Sequence, residues 1–284
     1  MSKVELSDKS KNVYFDTSIY NRLFDDPEKE RVLRLIKEKT LNVIPSVVNL
    51  CELLMTSVPN RKTELIRIYQ EIRNDFHPLK PFTWLLKDSV ESVEKDLKDW
   101  EINYPIDITD ETENICRDLI RQKGIELEPY FQGARDFIQD VKKREKLADE
   151  LQYFAYVDSK SGQKIMIELF DQICTSMGKV CQLDEDNKLA IITSPLMPWK
   201  YYLESYAYLF YRRAFQDKWY GKQSNPGPSD LEQCVYLFWS GKLIIEDNVF
   251  IAFVSRLKEI RNYDVQIMDY SGFRDLLLNE IYGS

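Results

Sequence analysis

The chain has 284 residues, 44% of them hydrophobic and 30% charged, with nine glycines and eleven prolines; this balance excludes a disordered or collagen-like chain and suffices for one or two cores. Thirty-nine Lys and Arg against 47 Asp and Glu leave a formal charge of −8, so no global field draws the chain to a polyanion and any nucleic-acid contact has to be local. No stretch approaches the roughly 18 uninterrupted apolar residues of a spanning helix, and residues 1–12 are polar with no apolar signal region, so a cytosolic protein without a membrane partner is expected.

In chain order, residues 12–16 (NVYFD) form a β-branched and aromatic run that stops abruptly at Asp-Thr-Ser, where Thr17 or Ser18 can cap a helix over 19–24. Asp26-Pro27-Glu28 opens a second helix carrying Val32, Leu33, Leu35 and Ile36, and residues 41–44 form a second short strand. Pro45-Ser46 opens a helix over 47–55, and Asn60 caps another whose apolar face is Leu65, Ile66, Ile68, Tyr69 and Ile72. Near the other end, Pro228-Ser229-Asp230 starts a helix through Phe238, Gly241 stops it, and 242–245 reads as a third strand ending in Glu246-Asp247. A helix over 250–260, a strand over 264–268 and a helix over 273–282 complete the pattern. Strands alternating with helices at these lengths imply a parallel sheet with helices on both faces.

Between the two blocks no strand alternation stands out. Helical patterns appear at Val90, Val93, Leu97 and Trp100; at Ile115, Leu119 and Ile120 up to Gly124; over 137–156; over 165–177; and over 201–220. The expected architecture is an α/β domain over 12–78 and 225–284, interrupted by a mostly α-helical insertion over 79–224.

Five cysteines, Cys51, Cys116, Cys174, Cys181 and Cys234, make an odd number with no C-x-x-C pair and lie among apolar neighbours, which reads as buried reduced thiols rather than a disulfide framework or a zinc site. The single histidine, His77, precedes Pro78 in a loop-like stretch and reads as a surface or helix-end residue. With one imidazole in the chain, carboxylates are left to carry any catalysis.

Four carboxylates stand where a parallel sheet places its ligands, beyond the carboxyl ends of the strands. Asp16 ends the first strand, Glu52 lies on the helix after the second, Asp230 starts the helix before the third, and Asp247 follows the third. Carboxylates gathered at one crevice repel each other unless a hard divalent cation is present, and all-oxygen donors suit Mg²⁺ or Mn²⁺. Glu52 is the most telling, because Leu50, Cys51, Leu53, Leu54 and Met55 around it are all apolar and a Glu is seldom buried without a partner.

The segment 13–24 (VYFDTSIYNRLF) resembles the first motif of PIN-domain nucleases, and 44–54 (IPSVVNLCELL) resembles the second. Residues 228–238 (PSDLEQCVYLF) and 243–250 (LIIEDNVF) are similar to the third and fourth, and 265–277 to the closing strand and helix. The resemblance implies a three-layer PIN-like α/β domain with a mainly parallel sheet, in which Asp16, Glu52, Asp230 and Asp247 ligate one or two Mg²⁺ or Mn²⁺ ions and hydrolyse RNA in preference to DNA. Ser18, Asn248 and Asp269 are accessory neighbours. One departure is Ile245, where the family often has Thr or Ser two residues before the Asp.

From Trp199 to Lys222 ten aromatics are interleaved with Lys and Arg. Arg212 and Arg213 could hold phosphates there while the rings stack bases, although an aromatic helix usually packs into a core. The rival to the nuclease is a catalytically silent PIN-like module that binds a protein or RNA partner through the insertion. A haloacid dehalogenase-like phosphoryl-transfer enzyme would want Asp two residues after Asp16, where Ser18 stands.

Overall fold

The computed structural model describes residues 6–73, 76–82, 84–86, 114, 116–118, 128–176, 183–194, 198–215 and 226–279. Short apolar runs form four strands, β1 (Asn12–Phe15), β2 (Asn42–Ile44), β3 (Lys242–Ile244) and β4 (Gln266–Met268), in one all-parallel sheet of order β2-β1-β3-β4. The protein is therefore of the α/β class. Central β1 is buried at every position, as a strand covered on both faces must be.

The period of two along the strands sorts their side chains onto two separate cores. Val13, Phe15, Val43 and Ile244 face one cluster; Tyr14, Ile44, Leu243 and Ile245 face the other. The first cluster is covered by helices α1 (Thr17–Asp25), α2 (Lys29–Glu38), α3 (Val47–Leu54), α4 (Pro59–Ile72) and the last helix, α12 (Tyr270–Asn279). Over the second lie α5 (Glu128–Glu145), α6 (Glu150–Val157), α7 (Gln163–Ser176), α8 (Glu185–Thr193), α9 (Trp199–Phe215), α10 (Pro228–Gln233) and α11 (Asn248–Arg261). The helices between the two sheet-forming blocks thus share a continuous core with the sheet. Tyr14 of β1 stacks on Tyr236 at 4.6 Å between ring centroids, and burying each such ring contributes roughly 2–3 kcal/mol.

Asn12 ties the amino end of the sheet: its Nδ2 donates to Trp239 O at 2.9 Å and its Oδ1 accepts from Asn42 Nδ2 at 3.0 Å. Gly241 donates to Asn12 O, and a Cβ on it would lie 2.1 Å from Lys9 O, so the 3₁₀ turn Leu6–Lys11 closes on β3 only over a glycine.

Several boundaries differ from the sequence expectation. The helix expected over 137–156 is two, separated by Lys146 at φ 54° and restarted by Asp149, whose carboxylate caps Gln152 N–H. Asn60 lies inside α4, whose first residue is Pro59 and whose N-cap is Val58. The helix from Pro228 tightens to a 3₁₀ turn over Cys234–Phe238, and α8 had no clear apolar stripe to announce it. The patterns around Val90 to Trp100 and from Leu119 to Gly124, like Cys181, lie outside the described residues.

Two side-chain expectations are corrected. Cys51 and Cys116 are joined as a disulfide with Cα atoms 4.7 Å apart; the partners are 65 residues apart and apolar neighbours disguised both. Cys174 and Cys234 are buried as expected, and burial pushes the Cys234 thiol up to about 12, which leaves it unreactive. His77 is buried, not at the surface. Among the described residues no helix is long and apolar enough to cross a membrane.

Candidate active site at the carboxyl edge of the sheet

In the order β2-β1-β3-β4 the chain leaves β1 toward β2 on one side and finds β3 and β4 on the other. The topological switch point, where parallel sheets open a crevice for ligands, is therefore between the carboxyl ends of β1 and β3. Asp16 follows β1 and extends its ladder by donating its N–H to Ile244 O at 3.0 Å. Asp247 stands three residues beyond β3. Both are helix N-caps, Asp16 of α1 and Asp247 of α11.

The Asp16 carboxylate is held from both sides. Oδ2 accepts the Ser18 N–H at 3.1 Å and a short bond from Ser18 Oγ, and Oδ1 accepts from Gln233 Nε2 at 2.9 Å. Asp247 Oδ1 accepts the N–H groups of Val249 and Phe250 at 2.7 and 3.0 Å, and the Asp247 side chain is exposed. Asp230, half-buried on α10, reaches back to the Gly227 N–H at 2.7 Å. Glu52 lies half-buried between Cys51 and Leu53 on α3, whose N-cap Ser46 accepts Asn49 N–H at 3.1 Å. Asn49 in turn donates to Thr17 Oγ1 at 3.2 Å, which ties α3 to the residue after Asp16.

Electrostatics links these groups. The Asp230 carboxyl is raised above the usual carboxylate range first by burial, against the Gly227 N–H, and further by the charges of Asp247, Asp16 and Glu52. Charges from both blocks of chain thus act on the Asp230 carboxyl. The four acids are not drawn together into a closed cage: among the described residues no three His, Cys, Asp or Glu side chains group tightly enough to hold a metal ion as they stand.

Of the accessory residues, Ser18 touches Asp16 directly, and Asn248 is exposed beside Asp247. Asp269 is apart: it follows the outer strand β4 and its carboxylate accepts Gly272 N–H at 2.7 Å. Ile245 is buried and donates its N–H to Met268 O, so that position belongs to the sheet.

Comparison of the chain with protein families, curated proteins and solved structures finds no match. The site therefore stands on its own geometry.

Of the two readings open for the aromatic helix, the described part of α9 takes the core one. Trp199, Tyr202, Tyr206, Tyr208 and Phe210 are all buried in the second core. Arg212 and Arg213 are half-buried, and the Arg212 guanidinium lies over the rings of Tyr208 and Phe253 at 5.9 and 5.7 Å. Conversely, sequence reasoning missed Gln233, which is buried and bonded to Asp16. The available signal was its position three residues after Asp230, on the same helical face and amid apolar neighbours.

Proposed function

We propose that the protein is a PIN-like, divalent-metal-dependent nuclease that hydrolyses phosphodiester bonds in single-stranded RNA. The observation that supports the reading is that Asp16 and Asp247, from two distant chain blocks, follow the adjacent parallel strands β1 and β3, and that their charges and that of Glu52 act on the Asp230 carboxyl. The donor set fits Mg²⁺ or Mn²⁺: Asp16, Glu52, Asp230 and Asp247 offer hard oxygens alone. An ion that retains several waters needs only one or two direct carboxylates, so a closed cage is not required beforehand. The buried Oε1 of Gln233, without a hydrogen-bond partner among the described residues and next to Asp16, also fits a polar occupant.

When bound, such an ion acidifies a water at neutral pH and stabilises the leaving oxygen of the phosphodiester. The chain's own residues do the rest. Ser18 and Gln233 fix the rotamer of Asp16, and the first turn of α11 fixes Asp247. The N-termini of α1 and α11 lie at the same edge, where their partial positive charge favours a phosphate. In this reading residues 12–78 and 225–284 carry the nuclease unit, and the helices between are an insertion that now covers one face of its sheet. A catalytically silent module that binds a protein or RNA partner is the second reading, favoured by the absence of a ready-made cage among the described residues.

Cleavage of an end-labelled single-stranded RNA in Mn²⁺, beside the same sequence as DNA, separates the two. The nuclease reading expects RNA cleavage that EDTA stops and that Asp16→Asn lowers roughly a thousandfold. An intact RNA in all lanes supports the silent module.

A further inference from the structure

Gln233 carries an inference that rests on the metal-centre reading and deepens it. Its side chain is 8% exposed, at the end of α10, between fully buried Leu231 and Cys234. Nε2 donates to Asp16 Oδ1 at 2.9 Å. The neighbouring carboxylate fixes which end of the amide faces it, because an Oε1 placed there would meet a like partial charge. Oε1 is thereby left buried with no partner among the described residues.

The lone pairs of Asp16 say what the vacant acceptor faces. A carboxylate offers about four acceptor positions. On Asp16, Oδ2 takes two hydrogen bonds from Ser18, and Oδ1 takes one from Gln233. One acceptor position on Oδ1 stays open, on a carboxylate in direct hydrogen-bond contact with the Gln233 amide. An acceptor waiting next to an open carboxylate lone pair requires a donor that also tolerates the carboxylate, and the hydration shell of a hard cation meets both demands.

We infer that Gln233 is the positioning residue of this site: its Nε2–H holds Asp16 in ligating orientation, and its Oε1 accepts a hydrogen bond from a water on the ion. The ion is a hydrated divalent cation of the Mg²⁺ or Mn²⁺ class.

Mn²⁺ alone is the probe, titrated into EDTA-stripped full-length protein and followed by electron paramagnetic resonance of the free ion. Gln233→Met keeps the volume and removes both polar ends. It should weaken Mn²⁺ about 10- to 100-fold, the usual cost of losing a hydrogen-bond partner behind a metal ligand, with the urea midpoint in EDTA unchanged. Gln233→Glu, which restores an acceptor but loses the donor and adds charge beside Asp16, should lower the midpoint in EDTA and recover it in Mn²⁺. It covers the case of a Met variant that does not fold. If wild type binds Mn²⁺, Asp16→Asn does not, and Gln233→Met binds like wild type, this inference falls while the metal centre stands; a Glu variant that Mn²⁺ does not rescue counts against it equally. If wild type itself fails to bind, the metal centre falls and takes the inference with it.

Discussion

Asp230 carries a charge that its surroundings oppose. Burial acts first and the charges of Asp247, Asp16 and Glu52 add to it, so its folded carboxyl titrates above its unfolded value. A raised acid pKa means that the native state binds more protons than the unfolded chain, and stability falls as pH rises through that window, starting near about 4. Asp230→Asn keeps an acceptor for the Gly227 N–H and removes the charge. In EDTA it should melt above wild type at neutral pH, with the advantage vanishing in acid; a variant that melts below wild type at pH 7 would mean that Asp230 is held by a favourable partner instead. Glu204 illustrates the opposite arrangement. It is buried, yet it accepts from Arg261 and from Tyr263 Oη, and Arg261 also grips Asp158 at 2.8 and 3.0 Å.

Among the elements, α2 and α4 are laced by charge. Lys29 meets Glu64 at 2.7 Å, Lys37 meets Glu71 at 3.0 Å, and Arg67 reaches Glu64, Glu71 and Glu30. Hydrogen bonds from Arg67 and then Lys29 hold the Glu64 carboxyl down at about 2. A depressed acid contributes stability above its unfolded value and loses it as pH falls through the folded one. Unfolding followed between pH 5 and 2 should therefore show wild type losing more stability than Glu64→Gln, by a small margin that added salt shrinks because the pair is partly exposed. Parallel curves for the two proteins would dismiss the network. The disulfide acts at the same scale, tying α3 to the segment at Cys116, 65 residues away. Loop-closure entropy sets its worth at about 4 kcal/mol. Reduction should lower the melting temperature of wild type and leave Cys51→Ala unmoved; an equal response in both would show that the bond does not stabilise the native state.

For the whole molecule, the strands were legible because each is a short apolar run ended by a turn or cap residue, and the parallel arrangement followed from the helices between them. Asp16 and Asp247 were legible as helix caps past strand ends for the same reason: strand ends and helix starts share one edge of such a sheet. What escaped were features made by residues that meet only after folding. Cys51 and Cys116 look like any apolar cysteine, and Gln233 gains its meaning from Asp16 more than 200 residues away. The aromatics of α9 pointed more to a core than to a base-stacking surface, and the described ones lie in the core because the second face of the sheet needed covering. Lys146 broke a long helix without a Gly or Pro to announce it.

The central claim is that acids from both chain blocks hold a single ion. Mn²⁺ at about 100 times its Kd should raise stability by about 2.7 kcal/mol through binding the native state alone, read as a rise in melting temperature. Asp16→Asn and Asp247→Asn should each lose most of that rise, and the double variant should lose no more than either single one, since both act on the same ion. Equal Mn²⁺ shifts in wild type and both variants would contradict the account.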